Sequence, residues 1–192
     1  MRRIYTYIIH FVILVSLTCC NGYSTQQKLE ILDSSPINLN LENMECWKND
    51  SLIKERSWED IPLKLCVYVC SDQCTSCYLK KMFQWEDFLE MGKAGEFYIY
   101  YIFTPQEGCE ETFHKFFFQA ELDYPFYLDK NREFLTLNPH LPREPMFHTF
   151  LHDENNNVIL VGDILHNTMV EQDFMNILEN HNISKKDVGT MK

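Results

Sequence analysis

The hydrophobic positions of this chain fall into short runs separated by helix-patterned stretches. Residues 37–41 alternate strictly between apolar residues and asparagine, which predicts a half-buried strand. Lys48-Asn49-Asp50 is a turn signal, and residues 52–62 mix acids and bases without a clear period. Residues 63–69 are almost continuously apolar, the pattern of a strand buried on both faces. From about 75 to 91, Leu79, Met82, Phe83, Trp85, Phe88 and Leu89 recur at three- and four-residue steps. That spacing predicts an amphipathic helix, stopped by Gly92 and Gly95. Residues 97–103 form a second buried strand, 111–122 a helix, and 124–129 a short strand with a helical turn around 132–137. Pro139, Pro142 and Pro145 then break the chain repeatedly. Residues 147–151 and 158–161 read as a hairpin around the polar turn 153–157, and 168–179 as a closing helix before a polar, frayed tail from Asn182. Strands interleaved with helices before a terminal hairpin predict an α/β sandwich with helices on both faces of a mixed sheet.

The first residues carry an export signature. Arg2 and Arg3 precede an apolar stretch from Ile8 to Leu17, shorter than the roughly 20 residues that span a bilayer. It has the proportions of a secretory signal. Leu17-Thr18-Cys19-Cys20 resembles a bacterial lipoprotein box, which implies removal of residues 1–19 and acylation of Cys20, with Cys19 as acylated residue or a plain secretory signal as the alternatives. Residues 20–36 are mostly polar and predict a tether, residues 37–181 the folded domain, and residues 182–192 the tail.

Export leaves 173 of the 192 residues, a length that suits one domain. Loss of Arg2 and Arg3 takes the net charge from -11 to -13. Nucleic-acid binding is excluded as a class, because it relies on Lys and Arg neutralising phosphates. Apolar residues make up 45% of the chain and aromatic residues 14%, enough for a core.

The chemistry concentrates at Cys74-Thr75-Ser76-Cys77, which sits between the buried strand and the amphipathic helix. A helix start leaves backbone N–H groups unpaired and carries partial positive charge, so a thiolate there is stabilised. Cys74 is then the expected nucleophile, and Cys77, one turn on, the expected resolving thiol. Cys66 falls inside the strand pattern and reads as a small core residue. A second disulfide between any two of Cys46, Cys70 and Cys109 is allowed but cannot be paired from sequence.

In this order of strand, Cys-x-x-Cys and helix, followed by the hairpin at 149–162, the chain resembles the thioredoxin family. It is most similar to membrane-anchored thioredoxin-like disulfide reductases and to thioredoxin-like lipoproteins of Bacteroides-type bacteria. The resemblance implies a three-layer sandwich and a thiol–disulfide oxidoreductase that acts on protein thiols and disulfides without a further cofactor. It implies a place in the cell envelope, with the domain lipid-anchored and facing the periplasm. It also implies that the loop of Pro145, Met146 and Phe147 faces the substrate. The chain departs from the family pattern in three places. Gln73 stands where Trp is usual before the first cysteine. No carboxylate occurs on Val67 to Val69, and the place of a buried acid falls near Tyr68. The cis-proline position, counted back from Asp153, falls on Phe147, so either Pro145 serves from a longer strand or the cis-proline is absent.

Cys70 adds a Cys-x-x-x-Cys spacing with Cys74. Sco-type copper chaperones resemble this arrangement and complete the site with a distant histidine. The alternative reading is therefore a non-catalytic thioredoxin-like binding module, with copper held by Cys70, Cys74 and His148, since thiolate and imidazole ligands suit copper. His140, His152 and His166 read as packed or rim histidines.

Overall fold

The computed structural model describes residues 23–49, 51–54, 61–73, 83–109, 115 and 123–189. Seven strands form one sheet: β1 (Glu45–Lys48), β2 (Ser51–Leu52), β3 (Lys64–Val69), β4 (Tyr98–Phe103), β5 (Phe126–Leu128), β6 (Thr149–His152) and β7 (Val158–Val161). Their order across the sheet is β2-β1-β5-β4-β3-β6-β7. β3 and β4, and β4 and β5, run parallel. The outer pairs are antiparallel, so the sheet is mixed, as the pattern predicted. Every residue of β3 and β4 is buried, which accounts for their apolar character, Lys64 at the start of β3 excepted.

Among the described residues, four α-helices pack around the sheet: α1 (Thr25–Asp33), α2 (Glu86–Lys93), α3 (Glu133–Leu137) and α4 (Thr168–Gly189). Successive strand residues face opposite sides. On one side, the Tyr68 ring packs 4.9 Å from Phe134 of α3. On the other, Trp85 lies 6.0 Å from Tyr101, and Phe174 of α4 lies 5.0 Å from Phe97 and 5.6 Å from Phe88 of α2. Three layers result. α2 follows a 3-10 turn at Phe83–Trp85 and ends where Gly95 takes φ 82, a left-handed stop that glycine adopts without strain.

The N-terminal part differs from the sequence reading. Residues 25–33, expected within a polar tether, form α1. Ser24 caps it by accepting from Gln27 N at 3.2 Å, while Gln27 Oε1 accepts from Ser24 N at 2.8 Å. This reciprocal capping box starts a helix whose outer face is polar, and Leu32 anchors its inner face in the core. Residues 37–41, expected as a strand, bury Ile37 and Leu41 but pair with no strand. Their backbone partners come from elsewhere. Ile37 N donates to Asn156 O at 2.8 Å, and the Asn138 amide imitates a ladder by accepting from Asn38 N at 2.7 Å and donating to Asn38 O at 3.0 Å. The sheet edge is supplied by the β1–β2 hairpin instead, turning at Asn49 with φ 47.

At the C-terminal half, the strand expected from 147 begins at Thr149, because Pro145–Phe147 is a 3-10 turn. The hairpin turn follows the polar run as predicted: Asp153 Oδ1 accepts from Asn155 N and Asn157 N at 2.8 and 2.9 Å. α4 runs on to Gly189, beyond the frayed start expected at 182. The predicted helix at 111–122 and the first part of the helix from 75 lie outside the described residues, Lys115 excepted.

His152, on β6, is fully buried against Tyr100 and Phe150. Burial pushes its pKa down to about 4, against an ordinary value near 6.5. The unfolded chain therefore takes up this proton first as pH falls. Stability from this group is complete above about pH 6.5 and declines as pH falls toward about 4, with a full loss on the order of 3 kcal/mol. His152→Phe is expected to shrink the difference in urea midpoint between about pH 7 and about pH 4.5. An unchanged difference contradicts this assignment.

Candidate redox site

The end of β3 delivers the chain to the predicted dithiol. Cys70 follows the strand and is buried, and residues 71–73 form a turn. Gln73 closes the turn twice: its N–H donates to Cys70 O at 3.0 Å, and its Oε1 accepts from Cys70 N at 2.9 Å. The glutamine in the usual place of a tryptophan is thus a turn-closing residue. Cys74 and Cys77 lie outside the described residues, as does Cys20.

The segment before β6 runs alongside this strand end. Tyr68 N donates to His148 O at 2.9 Å, and Thr149 sits opposite Val67. Pro145 opens the 3-10 turn, and the described residues contain no cis peptide bond, so Glu144–Pro145 is trans. Of the two openings left by the sequence, no cis-proline stands at Pro145. Pro145 and Met146 are exposed, Met146 by 60%, whereas Phe147 is buried. The accessible part of the predicted loop is therefore its first two residues.

His148 is buried with its ring edge on Tyr68, centroids 5.1 Å apart. Its Nε2 donates to the Pro142 carbonyl at 2.9 Å, and burial pulls its pKa below the usual histidine value. The ring is accordingly neutral at ordinary pH, with Nδ1 a buried lone pair without a hydrogen-bond partner. Cys70 comes two residues after Tyr68, the neighbour of His148. With Cys74 outside the described residues, no three metal-ligating side chains gather among those described. His140 and His152 lie elsewhere, and His166 is exposed beside Asp163 at 2.9 Å.

One set of residues escaped the sequence reading. The Tyr68 hydroxyl lies 3.0 Å from Thr104 Oγ1, which donates to Asp129 Oδ2 at 3.3 Å. Asp129 is buried and also accepts from Glu133 N at 2.8 Å and Phe134 N at 3.0 Å. The carboxylate so caps α3 and ties together the ends of β3, β4 and β5. Burial raises the Tyr68 pKa to about 12, which keeps its hydroxyl a donor. The only sequence signal was an aspartate directly after an apolar strand, which also reads as an ordinary turn. The nearest buried acid to the Tyr68 position therefore comes from a different strand end.

No disulfide joins any two of Cys46, Cys70 and Cys109. Cys66 is fully buried and burial drives its thiol pKa far upward, making it inert core, as its position suggested. Cys109 is exposed, next to a turn at 107–108.

Comparison with solved structures follows this architecture. The solution structure of a thioredoxin-like protein in the oxidised form aligns with a TM-score of 0.53 at 14% identity, over 78% of this chain and 97% of that one. The fold is thioredoxin-like. At lower scores, a protein described as thiol:disulfide interchange protein DsbE from Chlorobium tepidum aligns at 0.49, with 15% identity over 70% of this chain and 92% of that chain. A PrxQ mutant from Xylella fastidiosa aligns at 0.49, with 11% identity over 77% and 95%. No family model matches the sequence. No curated protein matches it either. In the thioredoxin-like frame, Gln73 comes at the turn after β3, and His148 lies beside β3. Among the described residues, no helix is long and apolar enough to cross a membrane.

Asp129→Ala removes the acceptor of two backbone N–H groups and of the Thr104 O–H in the interior. The expected cost is about 2–4 kcal/mol of folding stability. Urea denaturation measures it, and a change below about 0.5 kcal/mol would show that the network is dispensable.

Proposed function

We propose that this chain is an exported, lipid-anchored thiol–disulfide oxidoreductase of the cell envelope that acts on protein disulfides. Cys74 is the nucleophile and Cys77 the resolving thiol. The observation that supports this most is the end of β3: a fully buried strand runs into a turn locked by Gln73, immediately before Cys74, with the exposed Pro145–Met146 turn alongside. That arrangement gives a fixed point from which the chain enters Cys74-Thr75-Ser76-Cys77, and an accessible rim beside the end of β3.

In the reducing direction, the Cys74 thiolate attacks one sulfur of a client disulfide. A Cys74–client disulfide forms and one client thiolate leaves. The Cys77 thiolate then attacks the Cys74 sulfur, the mixed bond breaks, and the second client thiolate leaves and takes a proton. The client gains two electrons, and Cys74–Cys77 is left as the disulfide. The reverse sequence oxidises the client, and the relative potentials set the direction. Anchoring rests on Leu17-Thr18-Cys19-Cys20, with Cys20 as the acylated residue.

A second reading has one observation in its favour. His148 carries a bare, buried Nδ1 close to the strand end that leads to Cys70. With Cys70 and Cys74 it would make a thiolate–imidazole set that suits copper.

Cys77→Ala separates the readings. In cells that export the protein, this variant is expected to accumulate thiol-sensitive adducts with other proteins on non-reducing gels, and Cys74→Ala in the same background removes them. Absence of adducts, together with copper binding that is lost on Cys70→Ala, would favour the binding module.

A further inference from the structure

The tether predicted at residues 20–36 would leave the domain on a long leash. The structure shortens it. The folded chain begins no later than Tyr23, since Ser24 caps α1 and α1 is fixed to the domain by buried Leu32 and by the Lys28–Glu144 ion pair. On the reading that Cys20 bears the lipid, only the three steps from Cys20 to Tyr23 remain, a reach of about 11 Å at most. The headgroup layer alone is about 5–8 Å thick per leaflet. The face around Tyr23 therefore cannot leave the bilayer surface.

That face is built for such a place. Tyr23 is 63% exposed and Met146 60%. Between α1 and the chain at 135–144 lies a cleft of about 480 Å³, whose charged lining is Lys28, Arg143 and Glu144. Glu144 is paired with Lys28, and Arg143 is set against Glu30 and Asp33 exposed on α1, so this face is close to neutral on a chain with net charge -11. An acidic protein is repelled by anionic lipid, and a near-neutral face with an exposed tyrosine and methionine is a part that a headgroup layer accepts. The same face carries the rim of the candidate redox site, because Glu144, held by Lys28, is followed directly by Pro145 and Met146.

We infer that the short anchor holds the α1–Met146 face against the bilayer, so that the dithiol works on client disulfides at the membrane surface rather than deep in the surrounding space. This inference rests on the lipid-anchor reading, and the test separates the two. The full chain is exported, labelled with radioactive palmitate to detect acylation, and placed in vesicles of phosphatidylglycerol and phosphatidylethanolamine carrying bromine on the upper acyl chain. Emission is compared for Met146→Trp and for Met175→Trp, which lies 43% exposed on α4 across the sheet. The contribution of the native tryptophans is subtracted with the unsubstituted protein. The inference predicts palmitate incorporation and quenching of the tryptophan introduced by Met146→Trp several-fold greater than that from Met175→Trp. Incorporation with equal quenching, or with stronger quenching from Met175→Trp, overturns the orientation and leaves the anchor intact. Absence of label overturns the anchor, and the orientation falls with it.

Discussion

β3 is held between β4 on one side and β6 on the other, and the position of the candidate site depends on that pairing. Six residues of β3 match six of β4 in parallel register, and four match β6 in the opposite sense. All six are buried, so a slip of one residue would turn Tyr68 and Cys66 toward the layer occupied by Trp85 and Phe174. The packing of large rings on both faces forbids it. The strand consequently ends at one fixed place, and the turn locked by Gln73 starts from there. The chain leaves that turn from a point set by the sheet rather than by the turn's own short sequence.

The polar groups at that end are arranged to keep the strand tips together. Tyr68, Thr104 and Asp129 come from the ends of three adjacent strands, and their hydrogen bonds finish on the N–H groups of α3. His148 extends the buried layer on the other side of β3 and uses one nitrogen to hold the Pro142 carbonyl. The loop that carries Pro145 and Met146 is thus fixed at both ends, by His148 within and by Lys28 on α1 outside. An exposed rim with fixed ends can present a surface to a partner without a large ordering cost.

The central strands, the terminal hairpin and the stop after α2 were legible in the sequence because each has one strong local cause. Continuous apolar residues meant burial on both faces, Asp153 with its asparagines meant a turn, and Gly95 meant a helix end. The N-terminal segment was not legible for the opposite reason. Ile37, Leu39 and Leu41 alternate as a strand does, but the segment is held by Asn156, which accepts from Ile37 N, and by Asn138, a hundred residues away from its partner Asn38, and no local pattern carries that information. α1 was hidden because its surface is polar and a single buried leucine, Leu32, supplies its anchor. Near the strand end, Cys74 and Cys77 are an expectation from spacing that lies outside the described residues, whereas Asp129 left no such signal, since its role appears only when the strand ends are brought side by side.

Whether the thiols after β3 exchange a disulfide is decided most directly by a redox titration. The protein is equilibrated over a series of glutathione ratios, quenched by alkylation, and each cysteine is read by mass spectrometry. The account predicts that Cys74 and Cys77 become protected together, with one two-electron midpoint between about -270 and -120 mV, while Cys66 stays reduced throughout. Protection of Cys74 with Cys70 in place of Cys77, or no coupled transition at all, would contradict it.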